Sequence, residues 1–212
     1  MKPRLFSILA LGCSALGLLL VSGCNVIPPV QPDATRYYVL SGPAFGETAA
    51  QSAAGTLRLG LRPVEVAPYL RRGSMVVRAG ENEISFAETA RWGEPLDREI
   101  NSSLRQRLSA TPSVARVFTP PFPVEPTRDF DISIQVIRCE GVRESATRAS
   151  ARFAATIEIS TTGENAQVVA RRTFVAPDAT WDGKDFSRLA ALLSDAVAAL
   201  SQDVVAALPE KK

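Results

Sequence analysis

Two runs of strict alternation set the tightest limit on what this chain can fold into. Phe130, Ile132, Ile134 and Val136 alternate with Asp131, Ser133 and Gln135. Ala151, Phe153, Ala155, Ile157 and Ile159 alternate with Arg152, Thr156 and Glu158. Successive side chains of a strand point to opposite faces, so each run buries its apolar set only as a β-strand over a core. The cluster Thr162-Gly163-Glu164-Asn165 reads as a turn, and residues 168–176 as a third strand. Upstream, Leu57, Leu59 and Leu61 alternate with Arg58, Gly60 and Arg62. Pro63 then interrupts, and Val64 and Val66 resume in a shifted phase, which a bulge or an edge position tolerates. Residues 75–78 and 84–86 flank Ala79-Gly80-Glu81-Asn82 as a hairpin, and residues 37–40 and Val114–Phe118 make short strands. Pro120, Pro121, Pro123 and Pro126 make residues 119–126 a loop. Residues 41–55, rich in Gly, Ala and Ser, read as another.

Two segments carry the helical period instead. Leu96, Ile100, Leu104 and Leu108 repeat at i+4, with Asp97, Arg98, Arg105 and Arg107 largely off that stripe. Pro95 falls in the first turn, where its missing N–H costs nothing, and Thr111-Pro112 ends the helix. The second helix spans about 186–208, with Asp185 as N-cap and Pro209 as stop. Trp181, near Asp182-Gly183, reads as part of that cap. The expected class is therefore α+β: one mostly antiparallel or mixed β-sheet with two α-helices packed on one face.

The N-terminus narrows what can fold at all. Lys2 and Arg4 precede an apolar run to Leu20, and Ser22-Gly23-Cys24 follows. This is the pattern of an export signal, and its ending resembles a bacterial lipobox, in which the cysteine is acylated and the peptide before it removed. On that reading residues 1–23 are signal peptide, residues 24–35 a Pro-rich tether, and residues 36–210 a single domain. A simple N-terminal anchor with Cys24 incidental is the alternative. The tether reaches at most roughly 40 Å. Each buried acyl CH₂, as in a palmitate chain, contributes about 0.8 kcal/mol, so two or more chains hold a domain at a bilayer.

The remaining composition excludes more than it assigns. The net charge of +2 resides in Lys2 and Arg4, so the chain from Cys24 onward is balanced, and nothing calls for nucleic acid. Of three cysteines, Cys13 leaves with the signal, Cys24 carries lipid and Cys139 reads as a small buried residue, so no intrachain disulfide is expected. The chain has no histidine. Ser-His-Asp, Cys-His and HExxH sites are thereby excluded, and no Walker-type or GxGxxG loop occurs. No catalytic residue, metal site or cofactor is expected.

One segment is more specific. Pro63-Val64-Glu65-Val66-Ala67-Pro68-Tyr69-Leu70 is followed by Met75-Val76-Val77-Arg78, by Asn82-Glu83-Ile84 and by Arg91-Trp92-Gly93-Glu94-Pro95-Leu96. This succession resembles the ABC-type transport auxiliary lipoprotein family, the PqiC-like outer-membrane lipoproteins of MCE lipid-transport systems. The lipobox and Tyr37-Tyr38-Val39-Leu40 fit the same pattern. Two departures are the basic Arg71-Arg72-Gly73-Ser74 and the Ala-rich 41–55 insertion.

The resemblance implies a fold like the TolB N-terminal domain. It also implies a lipid-anchored protein on the periplasmic face of the outer membrane of a Gram-negative bacterium. Its expected partners are an MCE-domain membrane protein and that protein's ABC transporter, and self-association into a homo-oligomeric ring accords with the family. Asn25, where aspartate retains enterobacterial lipoproteins at the inner membrane, points the same way. Tyr69, Leu70, Arg71 and Arg72 lie in a loop between strands, where binding residues concentrate, and are candidate contacts. Arg71 and Arg72 could alternatively meet anionic headgroups, an attraction of about 2 kcal/mol. Trp92 reads either as a partner contact or as a residue packed under the first helix to fix its entry angle. A lipoprotein scaffold or activator in envelope assembly is the alternative function, and a secreted hydrolase is disfavoured by the missing histidine.

Overall fold

The computed structural model describes residues 32–42, 55–124 and 127–209. The chain forms two units, Met1–Ala34 and Thr35–Lys212. In the first, the described residues 32–34 carry no strand or helix. The expected signal peptide, Cys24 and most of the tether lie outside the described residues, as do positions 43–54 of the 41–55 loop.

The second unit is one mixed sheet with two helices. Its strands are β1 (Arg36–Tyr38), β2 (Leu57–Leu61), β3 (Glu65–Val66), β4 (Ser74–Ala79), β5 (Glu83–Trp92), β6 (Val114–Phe118), β7 (Phe130–Arg143), β8 (Ala149–Thr161), β9 (Val168–Val175) and β10 (Ala179–Trp181). The helices are α1 (Leu96–Ser109) and α2 (Phe186–Ala207), and a 3₁₀ turn, Pro68–Arg72, joins β3 to β4.

Strand β7 is the hub. Along one edge it takes β2, β3 and β4 in succession, all parallel. Pro63 and Pro68 lack an N–H and fall in the gaps between these partners, which is why three short strands stand where one long strand could have run. Along its other edge β7 pairs antiparallel with β8 over its full length, and β8 carries β9 and β10 beyond it. Strand β5 closes a hairpin with β4, and β1 lies parallel on its far side. A bulge between Val136 and Arg138 inserts Ile137 and shifts the phase. Ile132, Ile134 and Val136 are buried before it, and Cys139 after it.

The helices cover the buried face. Leu96, Ile100, Leu104 and Leu108 of α1 are all buried, as are Leu189, Leu193, Val197, Leu200 and Val204 of α2. Each such side chain contributes roughly 1.5–3 kcal/mol by leaving water. By length and composition α2 could cross a bilayer, but its apolar stripe is spent on this core. The Asp185 carboxylate accepts the Ser187 and Arg188 N–H groups, the expected N-cap. Trp181 is instead a buried residue whose Nε1–H donates to the Asp185 carbonyl at 2.7 Å.

Three elements differ from expectation in extent. Strand β5 runs on to Trp92, β7 continues to Arg143, and β10 is added. In each case tertiary pairing holds residues whose local pattern is not strand-like.

Candidate docking site

The segment from Pro68 to Trp92 is built around one buried carboxylate. Pro68 opens the 3₁₀ turn, and Gly73, at φ 74°, closes it in the left-handed region where a side chain would be strained. Leu70, 1% exposed, points into the core and fixes the turn from below. Beneath its other side lies Glu140, 0% exposed. The Arg78 Nε–H donates to Glu140 Oε1 at 2.6 Å and the Tyr69 hydroxyl donates to Glu140 Oε2 at 2.9 Å. The same hydroxyl lies 3.2 Å from the carbonyl of Ile137, the bulged residue of β7. Arg78 Nη1 donates to the Glu81 carbonyl at 3.0 Å, so this arginine also spans the β4–β5 hairpin.

The electrostatics follow from that burial. Desolvation first, and the Glu140 charge second, push the Tyr69 phenol well above its ordinary value. The Glu140 hydrogen bond, its largest influence, holds Arg78 more firmly charged. Tyr69 is thus a neutral donor at any physiological pH, a strut rather than an acid.

Outside this lock the surface is cationic. Arg71 and Arg72 are exposed, and the Arg72 guanidinium lies 4.6 Å from the centroid of the Phe86 ring. Arg91 Nη2 donates to the Arg72 carbonyl at 3.4 Å. Among the described residues no carboxylate pairs with Arg71, Arg72 or Arg91. Trp92 is 5% exposed and its N–H donates to the Gly73 carbonyl at 2.8 Å, so it lies in the core and ties β5 to the turn.

Of the five residues singled out in the sequence, Arg71 and Arg72 therefore offer surface, half-buried Tyr69 braces the turn from its side, and Leu70 and Trp92 hold it in place. Glu140 and Phe86 carry no signal as site residues in the sequence, and Arg78 and Arg91 enter there only as members of the family-like motif. The only trace of the Glu140–Arg78 pair is a charged residue beside apolar ones in a strand, which does not reveal a partner 62 positions away.

Two open grooves lie elsewhere, meeting at Pro63 and Pro120. One, of about 390 Å³, runs past Asp97, Arg98 and Arg105 of α1, and the other, of about 590 Å³, runs past Phe122, Gln135 and Glu158. Charged side chains stand in both linings. A basic turn braced from inside, on one mixed sheet packed with two helices, defines the class: an α+β domain with an exposed cationic turn.

The comparisons with known proteins give that class a family. The chain belongs to the ABC-type transport auxiliary lipoprotein component family, whose model matches residues 38–205. Among solved structures it is similar to a Xanthomonas campestris protein of the DUF330 family, with a TM-score of 0.62 and 18% identity over 81% of this chain and 90% of that one. It is also similar to an uncharacterized protein, with a TM-score of 0.60 and 16% identity over 81% of this chain and 97% of that one. Both show the same fold: a large sheet with two helices. No curated protein sequence matches the chain. Membership makes the protein a membrane-anchored lipoprotein of the cell envelope that serves a transporter, in a family of auxiliary components rather than enzymes.

Proposed function

We propose that this protein is an outer-membrane lipoprotein subunit of an ABC/MCE-type intermembrane lipid transport system, anchored through acylated Cys24. It docks on the MCE-domain partner with the turn that carries Tyr69, Arg71 and Arg72. The observation that supports this reading is the pairing of a rigid mount with unsatisfied charge. The Glu140–Arg78–Tyr69 lock fixes the turn, and the two arginines it presents have no carboxylate of their own among the described residues. A preorganised cation pair loses little entropy on binding and selects for an acidic counterpart. The protein does no chemistry of its own; its part is to hold the transporter's outer end at the membrane.

Affinity purification of the processed lipoprotein from gently solubilised envelopes, with mass spectrometry of what co-purifies, tests this. Recovery of an MCE-domain protein with its transporter supports the proposal. Recovery of peptidoglycan enzymes instead moves the protein to the scaffold or activator class.

A further inference from the structure

The first strand after the tether exposes apolar side chains on a rigid edge. Tyr37 is 66% and Val39 62% exposed. Their neighbours Tyr38 and Leu40 pack on the core, so Tyr37 and Val39 share the sheet face turned away from the helices. Tyr37 stands beside Arg91 in the β1–β5 register, and Val39 lies over Gly93, where a β-carbon would come within 3.0 Å of Val39 Cγ1. Arg36, exposed, precedes them and by the same alternation stands on the other side, beside Ala90. Among the described residues neither Arg36 nor Arg91 has a carboxylate partner.

The strip does not depend on strand pairing alone. The Gly93 N–H donates to the Tyr38 carbonyl at 2.7 Å, and the Leu40 N–H donates to Glu99 Oε2 at 3.0 Å. The Ser41 N–H donates to Ser194 Oγ at 2.9 Å. Side chains from both helices thus clamp the backbone directly after the patch.

Connectivity identifies what covers it. The family is a lipoprotein family, and β1 begins at Arg36, at the end of the short 24–35 segment. We propose that the face formed by Tyr37, Val39 and Arg91 lies against the anionic headgroups of the leaflet that holds the acyl chains. Tyrosine rings settle at the headgroup level, and arginines near an anionic surface are drawn to its phosphates. Arg91 also reaches the Arg72 carbonyl, so the membrane face borders the docking turn and a partner held there meets the bilayer. The inference rests on the anchor at Cys24 and is independent of the partner's identity.

The test uses the processed, full-length lipoprotein with a benzoylphenylalanine photocrosslinker at position 37, 39 or 175, in vesicles of phosphatidylglycerol or of phosphatidylcholine. Val175 is the control, equally exposed at 66% but on β9, at the opposite end of the sheet. Intact mass first establishes acylation of Cys24; an unacylated protein overturns the anchor and this inference together. With the anchor present, lipid adducts are expected at 37 and 39 and not at 175. In phosphatidylglycerol, Arg91→Gln is expected to lower the yield about fivefold. Equal adducts at 175, insensitivity to Arg91→Gln, or crosslinks from 37 to protein instead of lipid each overturn the inference.

Discussion

The two ends of β7 each bury an acid, and they use it differently. Near its C-terminal end, Glu140 is wholly enclosed, met by a single arginine and a tyrosine, and the arginines on the surface above have no acid to face. Near its N-terminal end, Asp131 meets Arg128 at 2.8 Å and Arg62 at 3.2 Å, and Arg62 remains 53% exposed. Neighbouring arginines follow suit: Arg58 faces Asp129, Arg171 faces Glu158 and Arg172 faces Asp203. Among the described residues the arginines named at the N-terminal end are all paired with acids, while at the C-terminal end Arg78, Arg148 and Arg152 are paired and Arg71, Arg72 and Arg91 are not. Arginine as such therefore marks nothing here; what sets the turn apart is cations without an acid on a braced backbone.

The largest effect separating the two ends is expected at Glu140. Glu140→Ala leaves Arg78 charged and mostly buried, a loss of about 3–5 kcal/mol in urea unfolding. Asp131→Ala is expected to lose less, about 2 kcal/mol, because Arg62 can turn to water and Arg128, as buried as Arg78, keeps the Pro123 carbonyl and the Phe122 ring. Equal losses would mean that the two acids are alike and that the turn has no special mount.

Tyr69→Phe removes one hydroxyl from the lock and is expected to cost about 1 kcal/mol. Its sharper readout is amide exchange, with residues 68–73 opening while β8 stays protected.

Glu99 gives a pH test of the clamp behind β1. Burial, partly offset by the Leu40 and Glu94 N–H groups, raises its carboxyl above the ordinary 4.5. The folded state therefore holds this proton more tightly than the unfolded chain does. The contribution of Glu99 to stability falls as pH rises from about 4.5 through the raised folded value, and it is regained on acidification. Relative to Glu99→Gln, the wild type is expected to gain stability as pH falls across that window. A difference between the two that does not vary with pH there would remove Glu99 from the account of the clamp.

Much of the fold was legible because the dominant physics is local. Alternation from Phe130 to Val136 and from Ala151 to Ile159, and the i+4 stripe from Leu96 to Leu108, declare their burial within a few residues. The Asp185 cap and the hairpin turn at Gly80, with φ 77°, do likewise. What stayed hidden depends on distant partners. The run Arg138-Cys139-Glu140-Gly141 mixes charge and glycine, so nothing local says strand; β8 and Arg78 make it one. Of the candidate contacts, the sequence brought forward the turn as a unit but could not sort its side chains. Whether Tyr69 or Leu70 faces the core depends on the phase of the 3₁₀ turn and on an acid 71 positions from the tyrosine.

The smallest expected effect on stability carries the greatest functional weight. Arg71→Gln with Arg72→Gln removes no ion pair but one exposed cation–π contact with Phe86, so stability should fall by about 0.5–1 kcal/mol at most. The comparator is Arg171→Gln with Arg172→Gln, which removes two. The decisive measurement is equilibrium capture of the proposed MCE-domain partner, purified, by the wild-type lipoprotein and by these two double variants, at two salt concentrations. The expected result is salt-sensitive binding that is lost with Arg71 and Arg72 neutralised and kept with Arg171 and Arg172 neutralised. Binding that survives the first pair, or falls equally with both, would contradict docking through the 3₁₀ turn.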